Sequence, residues 1–306
     1  MKISKALQAH FALFFVMLIY GANYTISKEV MPEFISPLGI VMMRVLFGAC
    51  SFWILHLFFF PSPKVDKKDF KLLLICAFFG AFINQILFFM GLSMTAPINA
   101  AVIMLMMPII VFLGAVLVFK EKVSTLNMIG IGFGCLGAFL IILAGNGSSF
   151  NLSSQFGDIL ILINACCFGT YLLISQPLVK KYDNIVILKW VFTFGTIYCM
   201  PFCMPELLKT NWAVIPAHIY WYIAYILLFV TVFTYLFYSF GLQHLPSTVV
   251  GTYVYTQPVI AAIIAIAAGK DELTVIKIAA ASLIFFGVYL ASKKPKSQEI
   301  LKTVEI

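Results

Sequence analysis

Ten apolar runs separated by short polar breaks dominate this chain. They cover approximately residues 7–27, 37–60, 70–90, 97–118, 126–145, 157–178, 185–204, 218–241, 247–268 and 274–292. A helix needs about 20 apolar residues to cross a bilayer, and lipid demands that its backbone hydrogen bonds be satisfied internally. The pattern therefore predicts an all-α integral membrane protein of ten transmembrane helices. Pro61-Ser62-Pro63 and following lysines end the second run, Lys120-Glu121-Lys122 the fourth, and Lys180-Lys181-Tyr182-Asp183 the sixth. Gly145 to Gln155 is the flexible, Ser-rich break between runs. The first run ends in Tyr20-Gly21-Ala22-Asn23 without an A-x-A site, so it reads as a retained span rather than a cleaved signal.

Composition agrees. Hydrophobic residues make up 62% of the chain, charged residues 10%, and the mean hydropathy is +1.04, whereas soluble domains carry about 25% charged residues. The net charge of +8 sits in short loops, which points to the positive-inside rule and away from nucleic acid. With a cytoplasmic N-terminus, 14 lysines fall on the cytoplasmic side and 4 on the other. The expected location is the cytoplasmic (inner) membrane, multi-pass, with both termini inside. Seven cysteines lie within apolar runs without ligand spacing and read as small buried hydrophobes. The four histidines lie near run ends and read as interfacial. No cofactor or metal is expected.

The chain also repeats. A shift of 150 aligns Gly91-Leu92 with Gly241-Leu242, Pro108 with Pro258, Lys120-Glu121 with Lys270-Asp271 and Gly137 with Gly287. A shift of 148 places Tyr20-Gly21 on Phe168-Gly169. Five spans per half force the second half to enter the membrane upside down. The expected organisation is a first five-helix repeat at 6–145, a linker at 146–156, an inverted second repeat at 157–292 and a cytoplasmic tail at 293–306. Inverted repeats mark secondary transporters, with the substrate site near the midplane between the halves.

These pieces resemble the EamA family of the drug/metabolite transporter superfamily: Tyr20-Gly21-Ala22-Asn23, Met43-Arg44-Val45-Leu46, Gly91-Leu92, Pro108 and Lys120-Glu121-Lys122-Val123-Ser124, then Gly157-Asp158-Ile159-Leu160, Gly241-Leu242, Gln257-Pro258 and Lys270-Asp271-Glu272-Leu273-Thr274. The resemblance covers about residues 6–292. It implies ten helices in two repeats, a central cavity, and transport of amino acids, other metabolites or drugs. The first run has no carboxylate, where small multidrug-resistance relatives use one for proton exchange. A coupling proton would need another acceptor, and Asp158 is the nearest candidate.

Lipid offers polar side chains no partner, so polar residues inside spans are expected to face protein or water. Asn23, Arg44, Asn84, Gln85, Tyr171, Thr234, Tyr238 and Gln257 are the candidate substrate-binding residues, with Arg44 near the outer mouth of the site. Asn84 and Thr234 are related by the 150 shift and could face each other across the cavity. Arg44 lies about 10 Å below its helix end. It either snorkels to the headgroups, binds an anionic group, or pins a neighbouring helix. Gly132-Phe133-Gly134-Cys135-Leu136-Gly137 reads as G-x-G-x-x-G, but lies mid-span. With Gly130 and Gly134 spaced as G-x-x-x-G, it indicates close helix packing rather than a nucleotide site.

The expected function is a secondary transporter of small metabolites, amino acids or similar and drugs, working by alternating access and exporting its substrate. The alternatives are a membrane-embedded enzyme, which would need H-E-x-x-H, G-x-S-x-G or paired intramembrane carboxylates, or a channel. The expected partners are the lipid bilayer, a small-molecule substrate and a coupling proton, with the protein a monomer or weak homodimer.

Overall fold

The computed structural model describes residues 4–59, 65–119, 124–144, 152–245, 249–250 and 253–291, and these contain helices and no strands. The principal helices are α1 (Lys5–Val30), α2 (Pro37–Phe58), α3 (Lys67–Met94), α4 in two pieces (Pro97–Met104 and Met107–Phe119), α5 (Thr125–Ala144), α6 (Leu152–Ile174), α7 (Asn184–Leu208), α8 (Ala217–His244), α9 (Val254–Ala267) and α10 (Val275–Ala291). The first eight are long and apolar enough to cross a membrane, and α9 and α10 are shorter apolar helices. The Pro61-Ser62-Pro63 break with Lys64, the 120–123 turn, the 145–151 stretch and the 292–306 tail, which the sequence analysis used, lie outside the described residues.

The helix starts follow local chemistry. The Ser4 hydroxyl accepts the Leu7 amide at 3.2 Å, and the Ser36 hydroxyl accepts the Gly39 amide at 3.1 Å. Each fills one of the orphan donors of a first turn. Pro37 and Pro97 take first-turn positions, where the missing N–H costs nothing. At the end of α9, Gly269 adopts φ +64, and the Lys270 and Gly269 amides reach back to the Ala265 and Ile266 carbonyls at 2.9 and 3.0 Å. This left-handed stop aims the following Asp271 back at the bundle.

Two helices are widened at corresponding places. A π segment, Phe78–Phe82, interrupts α3, and another, Tyr225–Phe233, interrupts α8. The helices also break at the two prolines that the repeat aligns. The helix of α4 lapses at Leu105-Met106 just before Pro108, and α9 opens with a 3-10 turn, Val254–Thr256, just before Pro258. A proline cannot donate to the ladder and crowds the preceding turn.

Packing pairs the two halves. α2 lies along α7 and α5 along α10, while α1 packs on α8 and α9, and α6 on α3 and α4. Glycines permit the closest approaches. A Cβ on Gly21 would stand 2.6 Å from Ile260, and one on Gly169 would stand 3.0 Å from Ile110. Between α5 and α10, a Cβ on Gly130 would meet the Gly287 carbonyl at 2.5 Å, and one on Gly137 the Ala280 carbonyl at 2.7 Å. Gly130, Gly134 and Gly137 of α5 thus form a helix-packing surface, whereas Gly132 faces open space.

The cysteines are not uniformly buried. Cys76, Cys199 and Cys203 are inside, but Cys50, Cys135 and Cys166 are on exposed faces. In lipid a small apolar thiol needs no burial.

Candidate functional site

The buried centre forms around Arg44 on α2. Its side chain is 6% exposed, so it does not snorkel. Its Nε donates to the Thr231 hydroxyl at 2.9 Å, Nη1 to Gln85 Oε1 at 2.8 Å, and Nη2 to the Val230 carbonyl at 3.4 Å. The Phe89 ring lies 5.5 Å from the guanidinium carbon. No carboxylate pairs with it among the described residues. Such a charge is expensive in a membrane interior, and here only neutral dipoles and a ring face offset the cost.

The two π segments supply those dipoles. Thr231 and Val230 lie within the widened part of α8, where Thr231 donates on to the Ile226 carbonyl at 3.0 Å. Thr234, immediately after it, donates to the same Val230 carbonyl at 2.7 Å. Gln85 and Phe89 follow the π segment of α3. A π turn displaces the ladder by one residue and turns the following side chains to a new face. Arg44 therefore bridges one widened helix from each half.

Aromatic rings surround this centre. Phe52, Phe192 and Tyr235 meet with centroids 5.2–5.9 Å apart, and Tyr24 and Phe88 at 5.7 Å. The Gln257 amide donates to the Tyr24 hydroxyl at 2.9 Å, tying α9 to α1.

The sequence candidates divide accordingly. Arg44 and Gln85 are in direct contact, and Thr234 shares their acceptor carbonyl. Gln257 joins through Tyr24. Asn23 is buried and accepts from Ser27 at 2.8 Å within α1. Asn84 turns to α6, exchanging bonds with Asn164: Asn164 Nδ2 donates to the Asn84 carbonyl at 2.7 Å and Asn84 Nδ2 to the Asn164 carbonyl at 3.5 Å. Asn84 and Thr234 thus occupy matching repeat positions but have different partners. Tyr171 lies half-buried against Gly80, and Tyr238 is half-buried on α8. Thr231, Phe89 and Tyr24 are the members that sequence reasoning missed. Thr231 aligns with Ala81 under the 150 shift, so unlike Thr234 it had no polar counterpart to mark it.

Two pockets open elsewhere, of about 470 and 990 Å³, and neither is lined by any of the eight candidates. The larger lies between α1, α7 and α8, bordered by Phe11, Phe15, Asn184, Phe237 and Gln243.

The fold and this site define a class: a multi-pass helical membrane protein with a charged polar centre walled by aromatic rings. The model of the EamA-like transporter family matches residues 7–143 and again 155–293, and the chain belongs to that family. It is a membrane transporter. Among similar proteins are the uncharacterized transporters YetK and YyaM of Bacillus subtilis. YetK is 26% identical over 99% of this chain and 92% of its own, and YyaM 24% identical over 94% of each. An uncharacterized inner membrane transporter of Salmonella typhimurium, YicL, is 24% identical over 61% of this chain and 64% of its own. A solved crystal structure shares the fold with a TM-score of 0.59 at 16% identity, covering 93% of this chain and 96% of that one.

Proposed function

We propose that this transporter is a secondary carrier that exports small carboxylate-bearing metabolites, amino acids among them, by alternating access between inverted five-helix repeats at 6–145 and 157–292. The observation that carries the reading is Arg44, a buried cation without a counter-ion among the described residues, held jointly by α3 and α8. Arginine has five N–H donors, and the three bonds to Thr231, Gln85 and Val230 leave two. A substrate carboxylate can take them, because the guanidinium fork matches its two oxygens. Residues from both halves hold this one group, so movement of the halves would expose it alternately to each side.

The packing supports the doubled architecture. The Gly21–Ile260 and Gly169–Ile110 approaches are exchanged by the same shifts that align the sequence, as are Gly130–Gly287 and Gly137–Ala280. The charge distribution favours a topology with both termini and the 64–71 connection in the cytoplasm and the Lys270–Glu272 turn outside. Transport of labelled amino acids and organic acids in proteoliposomes, comparing the wild type with Arg44→Lys, tests the reading. Saturable flux lost in the variant is expected. Equal flux in both removes Arg44 from the site.

A further inference from the structure

A second polar centre lies at the end of the bundle that carries the α9–α10 turn. Asp158, near the start of α6, is 0% exposed. It accepts from the Thr95 hydroxyl and from Asn99 Nδ2, the latter at 3.4 Å. On α1, Lys28 Nζ donates to the Thr95 carbonyl. From the other half, Asp271 accepts the Ile98 amide at 3.0 Å and pairs with Lys277, which also donates to the Glu272 carbonyl at 3.0 Å. Lys270 closes the rim on Glu29 at 2.7 Å. The charged groups facing Asp158 are thus Lys28 from α1, Lys277 from α10 and Asp271 from the α9–α10 turn; with Asp158 itself they make two cations and two anions.

We propose that Asp158 is a proton-binding site that controls this end of the transporter: ionised, it closes the end, and protonated, it releases it. The proposal takes its sidedness from the reading above. An ionised Asp158 joins α6 to the α3–α4 turn and balances Lys28 and Lys277. A proton arriving from external water neutralises the carboxylate and leaves the half-buried Lys28 and the buried Lys277 facing Asp271 alone. Like charges taken partly or wholly out of water without balance disfavour the closed packing. A metal cation suits the place poorly, since the Lys28 ammonium already occupies the Thr95 carbonyl that would coordinate it. Asp158 is the one charged residue of α6, and its neutralisation changes the balance of the whole cluster.

The test reads opening directly. In a cysteine-free protein reconstituted in vesicles, Ala96→Cys, a buried position in the α3–α4 turn, is labelled with an impermeant thiol reagent from outside. Its rate is divided by that of the exposed Glu272→Cys at each pH, which removes the reagent's own pH dependence. The ratio is expected to rise as external pH falls. With Asp158→Asn it should be high and flat. With Lys28→Gln, which removes a charge that favours the carboxylate, the midpoint should move up by about one pH unit. This second variant keeps the test decisive if Asp158→Asn does not fold. A flat ratio in the wild type, an unmoved midpoint in Lys28→Gln, or an unaltered titration in Asp158→Asn overturns the proposal. Arg44→Lys should leave the titration in place. Loss of titration with Arg44-dependent transport intact would sink the gate alone, and the reverse would sink the central site alone.

Discussion

Arg44 concentrates the residue-scale chemistry. Its three neutral partners orient the guanidinium but leave its charge uncompensated. Arg44→Lys retains the charge and loses the fork. Hydrogen bonds to charged groups contribute roughly 1.5–3 kcal/mol, so transport efficiency for a carboxylate substrate should fall about tenfold or more, with membrane abundance unchanged. Transport kinetics at matched protein levels check this. Asn84 acts through α6, where its exchange with Asn164 holds the post-π part of α3 in place. Asn84→Ala removes the donor to the Asn164 carbonyl but keeps the backbone carbonyl that Asn164 Nδ2 uses, and should cost about 1 kcal/mol. Thermal unfolding in detergent should register it, and undiminished stability would show the pair to be neutral. The sequence marked Arg44, Asn84 and Gln85 because lipid rejects them. It could not say that Gln85 meets Arg44 while Asn84 turns the other way, since both lie on α3 one residue apart and the π segment sets their directions.

At the scale of elements, the α5–α10 pair depends on glycine as a spacer. The Gly130 and Gly287 backbones approach so closely that any side chain must displace the partner helix. Gly287→Leu should therefore lower the unfolding temperature, by overpacking of roughly 1–3 kcal/mol. Gly132→Leu, with open space beside it, should leave it unchanged. Thermal unfolding of the two variants decides, and equal effects would contradict the packing. Both glycines were legible from their spacing, but only the packed pair distinguishes Gly130 from Gly132. The π segments of α3 and α8 were not legible at all. A ladder that shifts to the wider spacing leaves the apolar run unbroken, and the sequence of Tyr225–Phe233 reads as an ordinary span.

For the whole molecule, the proposed topology has a direct test. Glu272→Cys in a cysteine-free background should react with an impermeant thiol reagent in intact cells, and Lys68→Cys only after lysis. Both positions are exposed, so the result reports sidedness rather than burial, and the opposite pattern would invert the transporter. Hydrophobic patterning by itself determined that the chain is a helical membrane protein and approximately where its spans lie, because the cost of exposing a backbone to lipid is local and each run must meet it alone. The repeat in the sequence likewise indicated which positions correspond. Tertiary structure alone decided which polar side chains meet. Arg44 finds Thr231 187 residues away, and Asp158 shares a cluster with Lys277 that no local pattern announces. Those contacts depend on helix rotation and on turns such as the one at Gly269, and a side chain a single residue or a fraction of a helical turn away would face different neighbours.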